Sequence, residues 1–502
     1  MPPPSPQSSR RADSGVLHSA TRRTAGIGAG RQRIDSPMSV GPTRARGSAV
    51  GQLALELPVA LPSIAIEPEW KDQQRLWGHS FHPMCSYLAS FPAALAHAFI
   101  ARYSRPGDVV LDPFSGRGTT PLQAVAEGRV GVGNDLNPFA HLLTAAKVEP
   151  ATRAAATTRL AQLRLGWNAV SGEWIRLSEQ VISDQPGTTV PAAGSSGLAT
   201  ARDANVPAEV ALAFHPHTLA QLLFVRATLR LDERTDRFLA AAITGILHGK
   251  SASYLSELMP NTFSMAPRYV RDFARRTAFQ SPRRDVFDGL GAKLDRLYRQ
   301  PMPPLDGIAL LGDARDVAER ARTALRDRGR SERARLVVAS PPYLRVVKYG
   351  YYNWLRTWFL GFDARAIDAT LDDAHHREPY LAFLRDVLVD LHGILTDDGI
   401  VVLVIGDVET DRGRRIRGGV GLAERVWEQA AEPLGYRLAG VALDDVAAVR
   451  KMTKLWGDEA GRATKTDRIL VLGATEAGRR RALSGASLDV DWAWPPRSIR
   501  PL

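Results

Sequence analysis

One cysteine, Cys85, occurs in 502 residues. A single thiol excludes an internal disulfide and any cysteine-rich zinc site, and it points to a reducing, cytoplasmic setting. Long apolar runs are missing as well. None approaches the roughly 20 residues that cross a bilayer, so no membrane partner is expected. Arg10-Arg11 has no apolar stretch behind it, which excludes a twin-arginine export signal. The eleven histidines show no metal-ligand spacing, so no metal is expected. Acidic residues are the short side of the charge balance, 53 Asp and Glu against 65 Lys and Arg, for a net charge of +12. That excess favours a polyanionic partner, nucleic acid before membrane.

Half of the excess lies in residues 1–50, which hold eight arginines and two aspartates in a Ser/Pro/Gly-rich stretch without apolar periodicity. This stretch reads as a disordered basic tail, either an aid to non-specific nucleic-acid binding or a solvated extension without function. Motifs must therefore carry the functional reading.

Apolar residues at helical spacing in "FPAALAHAFIARY" (91–103) predict a helix that "SRPGD" stops. "DVVLD" (108–112) predicts a short buried strand, "TPLQAVAEG" (120–128) a helix and "VGVGND" (130–135) a second strand, a βαβ unit that implies a sheet covered on both faces. Residues 151–300 are mostly helical, with a Gly/Ser/Pro/Ala-rich interruption near 186–207. Strand patterns resume at 308–313, 335–340, 399–407, 436–443 and 468–473. Seven strands interleaved with helices predict one Rossmann-like, doubly wound α/β domain split by a helical insertion. Its parts are a ligand-binding half over 70–150, the insertion over 151–300, a second half over 301–480, and a C-terminal tail over 481–502.

The turn between the first strand and its helix, "PFSGRGTT" (113–120), lacks the lysine of a phosphate-binding P-loop and the third glycine of a dinucleotide turn. Gly116 and Gly118 let backbone approach a ligand, and Thr119 and Thr120 can cap or donate at the helix start. Asp112 ends the first strand and Asp135 the second, and an acid at that second strand end binds ribose hydroxyls in doubly wound folds. An acid before the loop suits a positively charged ligand, and the sulfonium and ammonium of S-adenosylmethionine fit. Asp313, ending "LLGD", is either an acceptor for an adenine amino group or a helix cap.

"DPFSGRGTT" (112–120) together with "SPPY" (340–343) resembles the amino-group DNA methyltransferases, which modify N4 of cytosine or N6 of adenine. The resemblance implies a methyltransferase sheet that binds S-adenosylmethionine through Asp112, Phe114, Gly116, Gly118, Thr119 and Thr120. "GNDLNP" (133–138), with Asp135 and Asn137, resembles the family's ribose-contacting motif, and "GDAR" (312–315), with Asp313 and Ala314, its adenine-contacting motif. Residues 81–100 resemble the segment that closes over the methionine end. Ser340, Pro341, Pro342 and Tyr343 then hold the target base, with Tyr343 stacked on it. An exocyclic amine is a poor nucleophile because its lone pair is delocalised into the ring. Hydrogen bonds from it to the Ser340 hydroxyl and the Pro341 carbonyl pull the nitrogen toward tetrahedral geometry, and the prolines keep that carbonyl still.

In the family this motif order puts target recognition between the two halves, so residues 151–300 are the expected reader of double-stranded DNA. Within them, 215–231 and 271–279 combine arginines with aromatics, and 247–265 reads as a loop that reaches DNA. Serine before Pro-Pro-Tyr leans toward cytosine N4, with adenine N6 open. A cognate restriction endonuclease is a further expected partner. The alternatives are an RNA methyltransferase acting on an exocyclic amine, and a non-catalytic DNA-binding protein on a decayed methylase fold.

Overall fold

The computed structural model describes residues 61–74, 76–88, 90–183, 189–190, 204–342, 348–371, 377–409, 421–445 and 462–495. The basic tail and Tyr343 lie outside them. Helix α1 (Ala93–Tyr103) leads into β1 (Val109–Asp112), α2 (Thr119–Ala126), β2 (Val130–Asp135) and α3 (Pro138–Val148). Alternate residues of β1 face opposite ways, Val109 and Leu111 into one apolar layer and Val110 into another. A strand buried on both sides needs such a continuous apolar run.

The insertion follows. Its elements are α4 (Arg153–Ser183), a two-stranded ribbon of β3 (Thr189–Val190) and β4 (Ala204–Asn205), α5 (Ala208–Ala213), α6 (Pro216–Thr228), α7 (Arg234–Thr244), α8 (Pro267–Thr277) and α9 (Val286–Leu297). It is not a detached domain. Leu163, Leu222, Phe238 and Phe287 share one apolar core with Phe81, Leu122 and Phe139 of the first half.

The sheet resumes at β5 (Ile308–Leu311), followed by α10 (Val317–Asp327), β6 (Ala334–Ala339), α11 (Trp354–Leu360), α12 (Ala364–Thr370), α13 (Arg377–Ile394) and β7 (Leu395–Glu409). α14 (Leu422–Arg425), β8 (Arg437–Asp445), β9 (Arg462–Gly473) and α15 (Glu476–Ala486) complete the chain. The seven strands lie in the order β5-β2-β1-β6-β7-β9-β8, parallel except for β9, which runs antiparallel between β7 and β8. Strand order reverses between β1 and β6, and ligands of doubly wound sheets bind beyond the carboxyl ends of the strands at such a point. Leu111 pairs with Val337 there, so the ends of the two signature strands are neighbours although 200-odd residues separate them in the chain.

The C-terminal boundary differs from the expectation. Residues 481–486, assigned above to a tail, are the second half of α15. Its arginines disguise a buried stripe of Gly478, Ala482, Gly485 and Ala486, small residues that let the helix lie close to α1. Beyond it, Trp492 and Trp494 pack edge-on to Trp77 at 5.7 and 5.1 Å.

Candidate active site

The loop after β1 is held in shape by buried polar side chains before any ligand enters. Gly118 caps α2 at φ +76°, in left-handed space, and a Cβ there would sit 2.9 Å from Thr144 Oγ1. It is glycine for conformation and packing. Gly116, at φ +52°, faces the Tyr87 ring at 3.7 Å from where its Cβ would lie. The loop is pinned from below: Lys147, fully buried, donates from Nζ to Arg117 O at 2.6 Å, and Ser115 Oγ meets Thr144 Oγ1 at 3.0 Å. Neither threonine caps α2. Thr119 Oγ1 accepts from Arg117 Nε at 3.3 Å, and Thr120 Oγ1 donates across to Val338 O on β6 at 3.0 Å. Thr120 thus ties the cofactor-type loop to the strand that carries Ser340.

Two carboxylates meet at this edge. Asp112 is 2% exposed and accepts from Phe114 N at 3.0 Å. Burial pushes its carboxyl up to about 8, against the opposing pull of the Phe114 N–H and the Thr120 hydroxyl, and the charge of Asp135 adds to the rise. Asp135 accepts from Gly116 N at 2.8 Å and Asn137 N at 2.9 Å, and desolvation raises it to about 6 despite those bonds. Neither acid forms an ion pair with a basic side chain among the described residues. Two elevated carboxyls without a cation fit a ligand that brings positive charge, and each oxygen of Asp135 keeps acceptor capacity for hydroxyls.

The remaining expected residues fall into two groups. Asn137 caps α3, accepting from Phe139 N at 3.0 Å, and its Nδ2 donates to Tyr87 Oη at 3.1 Å. Phe114 lies 5.8 Å from Phe383 of α13, and the Arg315 guanidinium sits 5.7 Å from that ring, so the three form one wall beside the loop. Asp313 caps the short turn at Ala314–Asp316 through Arg315 N and also grips the Arg315 guanidinium. Burial raises its carboxyl, but the Arg315 contacts outweigh this and hold it below the usual range. Ala314 is buried behind it.

At the end of β6, Pro341 is buried, Pro342 half-buried, and Tyr343 outside the described residues. Ser340 Oγ is buried and has no hydrogen-bond partner among the described residues. Buried hydroxyls are almost always satisfied, and an exception in a native fold calls for an explanation.

Sequence reasoning missed three positioning residues. Asn134, fully buried, donates from Nδ2 to Pro113 O at 3.1 Å and Gly312 O at 3.0 Å, joining the loops after β1 and β5. Tyr87 links the loop glycine, Asn137 and Tyr349, on which it stacks at 5.7 Å. Asn134 lies inside the GNDLNP motif and Tyr87 inside the segment 81–100, but nothing local singles out either residue or Tyr349. Of the expected DNA-reading helices, α6 is mostly core: Leu219 to Val225 are buried, and Arg226 lies 5.2 Å from the Trp358 ring. Arg226 and Phe224 face inward because α6 packs against α4, with α9 and α11 beside it. Among the described residues no group of three or more His, Cys, Asp or Glu side chains converges on a metal position, and no helix is long and apolar enough to cross a membrane.

A seven-stranded sheet of this order, with acids ending its first two strands and a glycine-bearing loop between, defines a Rossmann-like methyltransferase fold. Residues 60–146 match the family model N6_N4_Mtase, described as a DNA methylase. The chain is 35% identical over 71 residues to Type II methyltransferase M.MjaII of Methanocaldococcus jannaschii, covering 14% of this chain and 13% of that protein. It is 36% identical over 70 residues to Type II methyltransferase M.Cfr9I of Citrobacter freundii, covering 14% and 23%. The match thus spans less than a quarter of either relative's length. A solved structure, TrmN from Thermus thermophilus, overlaps 78% of this chain and 52% of its own at 13% identity, but its TM-score of 0.26 is too low to argue from. The match to the DNA methylase model implies S-adenosylmethionine as the methyl donor, and the charge demand of Asp112 and Asp135 fits it.

Proposed function

We propose that the chain is a DNA methyltransferase that modifies an exocyclic amine of a base turned out of the duplex, cytosine N4 in preference to adenine N6. The observation that carries this reading is the buried Ser340 hydroxyl at the switch point, just past the strand beside β1, which has no hydrogen-bond partner among the described residues. A hydroxyl kept dry and unsatisfied is an acceptor waiting for a donor, and the amine of a flipped base brings one. Pro341 offers its carbonyl as the second acceptor. With φ fixed in two successive residues, that carbonyl stays aimed while the nitrogen leaves planarity. Tyr343 is proposed to stack on the base.

Bound S-adenosylmethionine supplies an electrophilic methyl on its sulfonium. Asp112 and Asp135 would balance its positive charge, Asp135 and Asn137 would hold the ribose, and Phe114 and the Gly116–Thr120 loop would complete the site. Asp313 is proposed to reach the adenine only with the acceptor capacity that Arg315 leaves. Residues 151–300 are proposed to read the target. A restriction endonuclease of the same recognition sequence is proposed as its partner, in keeping with the Type II description of the relatives, and the cytoplasm as its setting.

The test is nucleoside mass spectrometry of unmethylated DNA incubated with purified protein and methyl-labelled S-adenosylmethionine. Labelled N4-methylcytosine is the expected product. N6-methyladenine would move the base assignment alone, whereas label in RNA only, or in neither polymer, would remove the reading.

A further inference from the structure

Helix α8 is the most lopsidedly charged element among the described helices. Val270 and Ala274 turn inward, while Arg268, Arg271, Arg275 and Arg276 stand against a single acid, Asp272. Two of these arginines are accounted for. Arg271 pairs with Glu209, and Arg268 lies 3.8 Å from Asp272. Arg275 and Arg276 are exposed and meet no acidic side chain among the described residues, and Arg276 reaches only the Asp272 carbonyl at 3.3 Å. Lys250, also exposed, places its ammonium 6.0 Å from the Phe273 ring, which stacks on Tyr269 at 6.0 Å.

This basic face is fastened to the segment that follows Ser340. Ser264 N donates to Tyr352 O at 2.6 Å, Trp354 Nε1 to Met265 O at 2.7 Å, and Arg356 Nη2 to Asn261 O at 2.5 Å. Residues 261–265 run directly into α8, so the helix start and the segment behind the candidate clamp are one hydrogen-bonded piece. A cationic face attached to that segment matches a polyanion whose base must reach the clamp.

We infer that Arg275, Arg276 and Lys250 hold backbone phosphates of the duplex whose target base enters the Ser340 site. The inference rests on the proposed function and assigns the face that takes the DNA. The plain competing role for Arg275 and Arg276 is to complement the dipole at the end of α8.

The test measures binding of a short, mixed-sequence, fluorescein-labelled duplex by anisotropy across a salt series, with Arg275→Gln/Arg276→Gln compared with the wild type. A control, Arg330→Gln/Arg480→Gln, removes the same charge from two other exposed sites. Loss of two phosphate contacts makes the slope of log affinity against log salt shallower by about 1.8, or about 0.9 per contact, and lowers affinity about tenfold at low salt. S-adenosylmethionine affinity by calorimetry stays at the wild-type value, and the control changes neither slope nor affinity. Wild-type slope and affinity in the α8 variant, or an equal loss in the control, would overturn the inference while leaving methyl transfer by the wild-type enzyme intact. A wild-type protein that neither binds the duplex nor methylates it overturns this inference and the functional reading together.

Discussion

Replacing Ser340 with alanine moves stability and catalysis in opposite directions. In the free protein the hydroxyl is buried and has no partner among the described residues. An unsatisfied buried polar group costs about 1–3 kcal/mol, so its removal leaves the fold as stable or raises the unfolding free energy by about 1 kcal/mol. In the reaction the same atom accepts from an amine that is losing planarity. Loss of one preorganised hydrogen bond of this kind costs about 2.7–4 kcal/mol, a hundred- to a thousandfold in rate. Donor affinity stays level, because Asp112, Asp135 and the loop between them are untouched. Single-turnover transfer of a labelled methyl group, run beside denaturant unfolding, separates the two effects. A variant that transfers at the wild-type rate would refute the clamp. A variant that loses more than about 1 kcal/mol of stability would refute the premise, since the hydroxyl must then have satisfied a structural partner.

Asp135→Ala removes a charged acceptor from the donor site, and calorimetry should show affinity for S-adenosylmethionine falling about ten- to a hundredfold. Gly118→Ala forces a Cβ into left-handed space against Thr144; chemical denaturation should register a loss of about 2–4 kcal/mol from strain and overpacking together. The carboxyl of Asp112, raised to about 8, holds its proton more tightly in the native state than in the unfolded chain. Its contribution to stability is therefore greatest at low pH and declines as pH rises from about 4 toward 8. Asp112→Asn flattens that part of the stability–pH curve in denaturant titrations. For the same reason, binding of a positively charged donor near neutral pH should release protons, which calorimetry in buffers of different ionisation enthalpy detects.

The seven strands could be read from the sequence because each is a short apolar run closed by Gly, Pro or Asp, a signal carried by neighbouring residues. The placement of Asp112, Asp135 and Ser340 could be read for a related reason: each lies at a strand end, where a local break in pattern advertises it. α6 shows where such reading stops. Its arginine and phenylalanine look like a nucleic-acid face, but which side of a helix meets solvent depends on what packs beside it, and here α4, α9 and α11 do. The arginine-rich start of α15 concealed a stripe of small residues that only a neighbouring helix makes meaningful. The tertiary structure alone brought the end of β1 beside the end of β6, because strand order is set by crossover packing across some 200 residues and not by any local segment. It also decided that Ser340 Oγ is buried without a partner among the described residues, since hydrogen-bond satisfaction belongs to a three-dimensional neighbourhood and leaves no trace in the residue type.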